Sequence, residues 1–371
     1  MTRRTAFFTD ERCFWHFGGH HILTIPVGGL VQPSASATLA ESPETKRRLR
    51  NLMEVTGLIG HLDTRSAEPA SEEELRRVHT RRYLDEFKRH SDAGGGEFYP
   101  ASPFGKGGYE IAAVSAGLAR QAVADVMKGL CRNAYALTRP PGHHCLPDQP
   151  MGFCLLANIP VAIEAAKSAG LLERVAVVDW DVHHGNGTEA IYYERADVLT
   201  ISLHQENNFP RPGGDFADRG RGAGEGFNIN VPLLPGAGHD AYAHAFARIV
   251  EPAVRRFRPD LIVVACGYDA SGVDPLSRTL AHSETYRLMT TSVMALAADL
   301  CGERLALMHE GGYSEVHVPF CGHRTIETLA SVETGIADPV LPRIAAQQPN
   351  ARFVVFQNGL IDEMADALGL A

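Results

Sequence analysis

The chain has 371 residues, 44% hydrophobic and 8% aromatic, enough to bury a large core. Its net charge of −9 argues against general nucleic-acid binding, which needs a basic face to neutralise phosphates, but leaves room for an acidic rim that attracts cations. No run approaches the roughly 18 apolar residues of a membrane span. The start, Met1-Thr-Arg-Arg-Thr-Ala-Phe-Phe, lacks the roughly 7–15-residue apolar stretch of a secretory leader.

Residues 1–41 read as an irregular opening segment and rim loop, with turn-rich Gly18-Gly19-His20-His21 and Pro26-Val-Gly-Gly29 and no helical period. His20 and His21 have no apolar strand to position them and read as rim residues rather than ligands. Ser42-Pro-Glu-Thr-Lys predicts a helix start, with Ser42 as cap and Pro43 at the first helical position. Ser71-Glu-Glu-Glu predicts another, with Glu74 completing a capping box. The glycine-rich stretches 92–108 and 205–226 read as functional rim loops.

From about residue 130 the pattern alternates. Strands are expected at Ala134–Thr138, Arg174–Asp179, 198–203, 261–266 and 304–309. Helices are expected at Ile159–Ala169, near 187–194, 240–256 and 283–300. This predicts an α/β fold in one domain, 1–371, with a single parallel sheet flanked by helices on both faces. The seven cysteines (13, 131, 145, 154, 266, 301, 321) form no CxxC pair and read as reduced, buried small hydrophobes of a cytoplasmic protein.

Four motifs follow predicted strands: Arg139-Pro-Pro-Gly-His-His144, Asp179-Trp-Asp-Val-His-His-Gly-Asn-Gly187, Gly267-Tyr-Asp-Ala270 and His309-Glu-Gly-Gly-Tyr313. In a parallel sheet these C-terminal strand ends share one edge, where ligands bind. Alternation along the strand is expected to turn Asp179, Asp181 and His183 the same way. Asp181, His183 and Asp269 suit a three-ligand metal site with an open position, and their O/N donors suit Zn²⁺ or Fe²⁺. His143 and His144 supply a base for water. Tyr313 supplies a phenol that stays protonated and donates to an oxyanion, with Gly311 and Gly312 freeing its loop. Asp179 and Asn186 remain to orient the two histidines. Taken singly each residue has a plainer reading: Asp269 as a turn residue, Tyr313 as a half-buried aromatic, Phe153 and Phe209 as core. His184, His204, His282, His309 and His323 read as structural.

These residues, with Gly152-Phe-Cys154, resemble the zinc-dependent histone deacetylase superfamily over about residues 5–335. Tyr268 and Asn186 are similar to the class II branch and its bacterial amidohydrolase-like members. The resemblance implies an arginase-deacetylase fold and one Zn²⁺ on Asp181, His183 and Asp269. It implies His143 and His144 as the tandem catalytic histidines and Tyr313 as the transition-state tyrosine. Phe153 and Phe209 become walls of an acyl-lysine tunnel, and the Gly152 carbonyl accepts the substrate amine. It implies a structural K⁺ site on Asp179, the main chain of Asp181 and His183, Ser202 and Leu203. A second monovalent site falls around Tyr192, Val198 and Phe227. A homo-oligomer, dimer or tetramer, is also in keeping with it. Asn186, where class I members carry Asp, leaves open which histidine is base and which acid; His144 is favoured as base. Glu97 and Asp92 are weak matches for the acid that anchors substrate backbone.

The expected reaction is hydrolysis of N-acyl-lysine in peptides or proteins. Acetylpolyamine hydrolysis is the nearest rival, but Leu276 follows Asp274-Pro275 where polyamine-selective relatives carry a glutamate. A two-metal ureohydrolase needs aspartates where this chain has Gly185 and Ser271. A catalytically weak acyl-lysine binding module is disfavoured by Tyr313.

Overall fold

Short runs, most of them rich in β-branched and apolar residues, form an eight-stranded sheet whose strands pair entirely in parallel. A computed structural model describes residues 4–27, 31, 40–99 and 101–370; Gly28 and Gly29 of the predicted turn lie outside them. The strands are β1 (Ala6–Phe8), β2 (Asp63–Arg65), β3 (Ala134–Ala136), β4 (Val175–Asp179), β5 (Val198–Gln205), β6 (Asn228–Leu233), β7 (Leu261–Cys266) and β8 (Leu305–His309). Their order across the sheet is β6-β5-β4-β7-β8-β3-β1-β2. Two short antiparallel ribbons, His21–Ile22 with Ile25–Pro26 and Gly95–Glu97 with Pro103–Gly105, lie apart from it.

The central strands are apolar at nearly every position because both faces are covered. Ala176 and Val178 of β4, with Ile262 and Val264 of β7, face one layer, which holds Met289 and Val293 of the helix Ser283–Cys301 and Ile326 of the helix Val318–Ala330. Val175, Val177, Val263 and Ala265 face the other layer, built on the helices Gly108–Met127 and Asn158–Ser168. The result is a three-layer α/β sandwich, as the strand–helix alternation predicts.

Some expectations need correction. The opening segment is not wholly irregular, since β1 inserts between β3 and β2. Three residues are too short to show a period. The predicted helix 240–256 is three pieces, His239–Ala245, a π turn at Phe246–Val250 and Glu251–Phe257. The 92–108 loop contains the second ribbon. Pro43 precedes the first helix, Glu44–Val55, rather than opening it, and the Ser42 hydroxyl accepts the Glu44 N–H. The Ser71–Glu74 capping box is present. All seven cysteines are buried, with no disulfide among the described residues. Among those residues no helix is long and apolar enough to cross a membrane.

Two buried histidines, His79 and His16, resist protonation, and His79 ties a loop to this frame. His79 Nε2 accepts the Ala157 N–H at 3.0 Å, and Nδ1 faces the Pro147 carbonyl at 3.3 Å. Burial lowers His79 to about 4, and burial beside Arg139 lowers His16 to about 3. An unfolded histidine takes a proton near pH 6.5, whereas these two resist it. Their contribution to stability is whole above about pH 6.5 and is lost as pH falls toward those values. The loss is at most about 1.4 kcal/mol per pH unit for each ring. Thermal unfolding measured from pH 7 to pH 5 should show a falling midpoint. His79→Gln, whose amide oxygen can still accept the Ala157 N–H, should flatten that fall; an unchanged slope contradicts the assignment.

Candidate metal centre and active site

The four motif-bearing strands, β4, β7, β8 and β3, are consecutive neighbours in the sheet, so their C-terminal ends meet without long loops. β4 stops at Asp179, and the chain then turns under the control of its own carboxylates. Asp179 Oδ1 accepts the Asp181 N–H, and Asp181 Oδ1 accepts the His183 N–H, each at 3.0 Å. The expectation that Asp179, Asp181 and His183 share one strand face is therefore corrected, because strand alternation ends at Asp179. Its Oδ2 meets His143 Nδ1 at 2.9 Å, while Asp181 and His183 converge with Asp269.

His183 Nδ1 lies 3.1 Å from Asp181 Oδ1 and 3.0 Å from Asp269 Oδ2. Ligands at about 2.0–2.1 Å in a tetrahedron sit only a little farther apart, roughly 3.3 Å. The carboxylates are held through their other contacts. Asp181 Oδ2 accepts the Gly311 N–H and Asp269 Oδ1 accepts the Val182 N–H, both at 2.8 Å. Gly311 is required here, since a Cβ would stand 2.2 Å from Asp269 Oδ2 and 2.6 Å from Asp181 Oδ2. Both aspartates are fully buried. Two such carboxylates beside one imidazole repel each other unless a cation lies between them, so the donor set fits a first-row divalent ion. A second cluster, His143, Cys154 and Glu310, is less suited. Burial holds the Cys154 thiol protonated, and Glu310 Oε2 already accepts the Gly142 and His143 N–H groups at 2.7 and 3.2 Å.

The tandem histidines have opposite electrostatics. Their rings lie 3.9 Å apart. Burial opposes charge on both. At His143 the carboxylates of Asp181 and Asp179 override burial and raise the ring to about 10. At His144 burial, and then the neighbouring rings of His143 and His183, push the value well below normal. Its partner is the neutral Asn186, whose Oδ1 lies 2.7 Å from His144 Nδ1 and so accepts an N–H. That tautomer leaves His144 Nε2 as a bare acceptor.

A cavity of about 460 Å³ runs from the surface to His144, His183 and Tyr313, walled by Phe153 and Phe209 and flanked by Gly152 and Leu276. A Cβ on Gly152 would lie 2.5 Å from His144 and 2.8 Å from Phe209, so only glycine keeps this wall open. Phe153 has φ +67°, a strained conformation held by its N–H to the Ala101 carbonyl. The Tyr313 N–H is held by Asp274 Oδ2 at 2.8 Å. Burial and the charges of Asp269 and Asp181 raise its phenol well above normal, which keeps it a donor.

Other predicted residues fall elsewhere. Glu97 Oε1 accepts the Ala101 N–H and sits 3.6 Å from His21 Nε2, and Asp92 pairs with Lys88; neither lines the cavity. Ser202 pairs with Asp179 across β5 and β4, with Leu203 next to it. Tyr192 and Val198 are buried together, while the Phe227 carbonyl accepts the Thr200 N–H. His184 bonds Glu189, His204 bonds Ser202 and Gly214, His309 bonds Tyr135, and His323 bonds Thr56. His282 precedes the helix Ser283–Cys301.

Sequence reasoning missed Thr24, Tyr99, Ala101 and Asn208 at the cavity mouth, which carry no motif. It missed Glu310 and Asp274, which stood inside quoted motifs. It also missed Glu41, whose carboxylate receives both Lys46 and Arg139 in the interior.

Residues 39–329 match the histone deacetylase domain family. The chain is 59% identical over 370 residues to a histone deacetylase-like amidohydrolase of Pseudomonas aeruginosa, covering 100% of this chain and 97% of that one. It is 33% identical over 339 residues to histone deacetylase 8 of Arabidopsis thaliana, covering 88% and 90%. The crystal structure of the HDA15 HD domain superposes with a TM-score of 0.83 at 30% identity, covering 99% of this chain and 98% of that one.

The geometry predicts one divalent ion per chain after chelation and reloading. Asp181→Asn and Asp269→Asn should each weaken its retention by about 100-fold or more. Elemental analysis checks this; two ions per chain, or full retention in both variants, contradicts the site.

Proposed function

The chain belongs to the histone deacetylase domain family, and from that premise we propose that it is a zinc-dependent amidohydrolase that removes acyl groups from N-acyl-lysine side chains. Deacetylase or amidohydrolase chemistry is what the family supports. The observation that carries the finer reading is the convergence of Asp181, His183 and Asp269 at the floor of an apolar-walled cavity, beside paired histidines of opposite charge preference and a phenol.

Asp181, His183 and Asp269 would hold Zn²⁺, which when bound would supply Lewis acidity and lower the pKa of water. His144, neutral and with Nε2 bare, takes the proton from the attacking water. His143, with Asp181 and Asp179 favouring its protonated form and the Asp179 carboxylate on its Nδ1, stabilises developing negative charge and delivers a proton to the leaving amine. The Tyr313 hydroxyl donates to the oxyanion as the carbonyl becomes tetrahedral. Phe153 and Phe209 confine the aliphatic stem, and the Gly152 carbonyl receives the substrate N–H. The family-implied K⁺ sites, at Asp179, Asp181, His183, Ser202 and Leu203 and around Tyr192, Val198 and Phe227, would stiffen the strand ends behind this floor.

The cavity lining supports lysine over polyamine substrates. Among the described residues, Thr24, Tyr99, Asn208 and Leu276 of the lining are uncharged and none of them pairs with a second ammonium. Gly185 has no side chain and Ser271 turns to His317, which disfavours the two-metal ureohydrolase.

Two measurements test the proposal. Tyr313→Phe should lower turnover by about 10²–10³-fold with metal content unchanged; undiminished turnover removes the donor role. The zinc-loaded enzyme should prefer an acetyl-lysine peptide to acetylputrescine in kcat/KM, and the reverse preference defeats the substrate choice.

A further inference from the structure

Three side chains outside this catalytic set form a hydrogen-bonded chain in the interior. Ser271 Oγ lies 2.6 Å from His317 Nδ1, and His317 Nε2 lies 2.9 Å from Asp338 Oδ2. Asp338 also accepts the Ser283 hydroxyl at 2.7 Å and the Val340 N–H at 2.9 Å. Burial pushes its carboxyl upward, but the bonds from His317 and Ser283 hold it below the ordinary value, so it is an ionised acceptor. His317 Nε2 therefore carries a proton. In the neutral ring Nδ1 then accepts, and the Ser271 hydroxyl donates to it.

The order serine–histidine–acid does not make a nucleophile here. Ser271 and His317 are buried, and neither lines the substrate cavity. What matters is where the ends are attached. Ser271 is two residues beyond Asp269, and its carbonyl receives the N–H of Asp274, the residue whose carboxylate holds the Tyr313 N–H. The Ser314 carbonyl accepts the N–H groups of both His317 and Val318, so one turn ties His317 to the neighbour of Tyr313. Asp338 lies beyond the helix Val318–Ala330 and outside the 39–329 range of the family match.

We propose that Ser271, His317 and Asp338 form a positioning relay. It locks the turn carrying Asp269 to the loop presenting Tyr313, and brings that loop under the control of the segment after the helix Val318–Ala330. The inference rests on reading Tyr313 as the oxyanion donor. Without the Ser271–His317 bond, loop 311–317 keeps its backbone ties at Gly311 and Tyr313 and the His317–Asp338 bond, but loses the side-chain tie from its far end to the turn carrying Asp269. The phenol then spends less time within reach of the oxyanion. That lowers kcat and leaves KM alone, because the bond matters only when charge develops.

The test places Ser271→Ala and Asp338→Ala separately in the wild-type and Tyr313→Phe backgrounds of the zinc-loaded enzyme. Activity is measured on an acetyl-lysine peptide, together with metal content. In the wild-type background Ser271→Ala should lower kcat about fivefold, the effect of one hydrogen bond, with KM within about twofold and the ion retained. In the Tyr313→Phe background the same change should cost nothing further, because the relay works through the missing hydroxyl. Equal losses in both backgrounds, no loss in either, or loss of the ion overturns the relay. Asp338→Ala, at the less buried end, must give the same pattern and serves if Ser271→Ala does not fold. A Tyr313→Phe parent as fast as wild type instead overturns the reading of Tyr313, and the relay with it.

Discussion

Two carboxylates that cannot escape each other govern this molecule. Asp181 and Asp269 are buried at the ends of neighbouring strands, each fixed by a backbone N–H, with His183 about 3 Å from both. Relaxing their repulsion by moving apart would break the Gly311 and Val182 bonds that hold the strand ends together. The pair thus offers a built place for a cation, and the glycines at 267 and 311 leave space for the acids. A Cβ on Gly267 would stand 2.1 Å from Asp181 Oδ2.

The same crowding creates the division of labour between the histidines. Both rings are buried to a similar degree, so desolvation alone does not separate them. The difference is the surrounding charge: the carboxylates of Asp181 and Asp179 raise His143, whereas His144, with the neutral amide of Asn186 behind it, is pushed down. With the neutral amide of Asn186 and no carboxylate behind it, His144 has too little to counter the pull of burial.

Much of this was legible in the sequence because parallel sheets leave strong marks. Val175–Asp179 and Leu261–Cys266 are continuous apolar runs, and each is followed at once by its motif residues. Ala6–Phe8 and Asp63–Arg65 were not legible as strands. Three residues carry no period, and pairing with distant partners decides their state. The centre itself was legible because Asp181, His183 and Asp269 stand in long, ordered motifs. The cavity mouth was not. Thr24, Tyr99 and Asn208 come from loops whose positions follow from packing, and their residue types announce nothing. Glu310 and Asp274 were visible as letters, but their work is to hold backbone N–H groups, which only coordinates reveal.

The strand order carries a consequence for how the chain matures. β1, β2 and β3 make one flank of the sheet and β4 to β7 the other, and β8 alone lies between β7 and β3. The two flanks share no strand pairing until residues 305–309 have left the ribosome. Non-local pairing of this kind is slow, and it leaves bare strand edges in the meantime. The strand β8 is thus the keystone of the sheet, and it leads directly into Gly311 and Tyr313. A chain lacking it keeps Asp181, His183 and Asp269 on one flank and His143 and His144 on the other, with no strand pairing between the flanks.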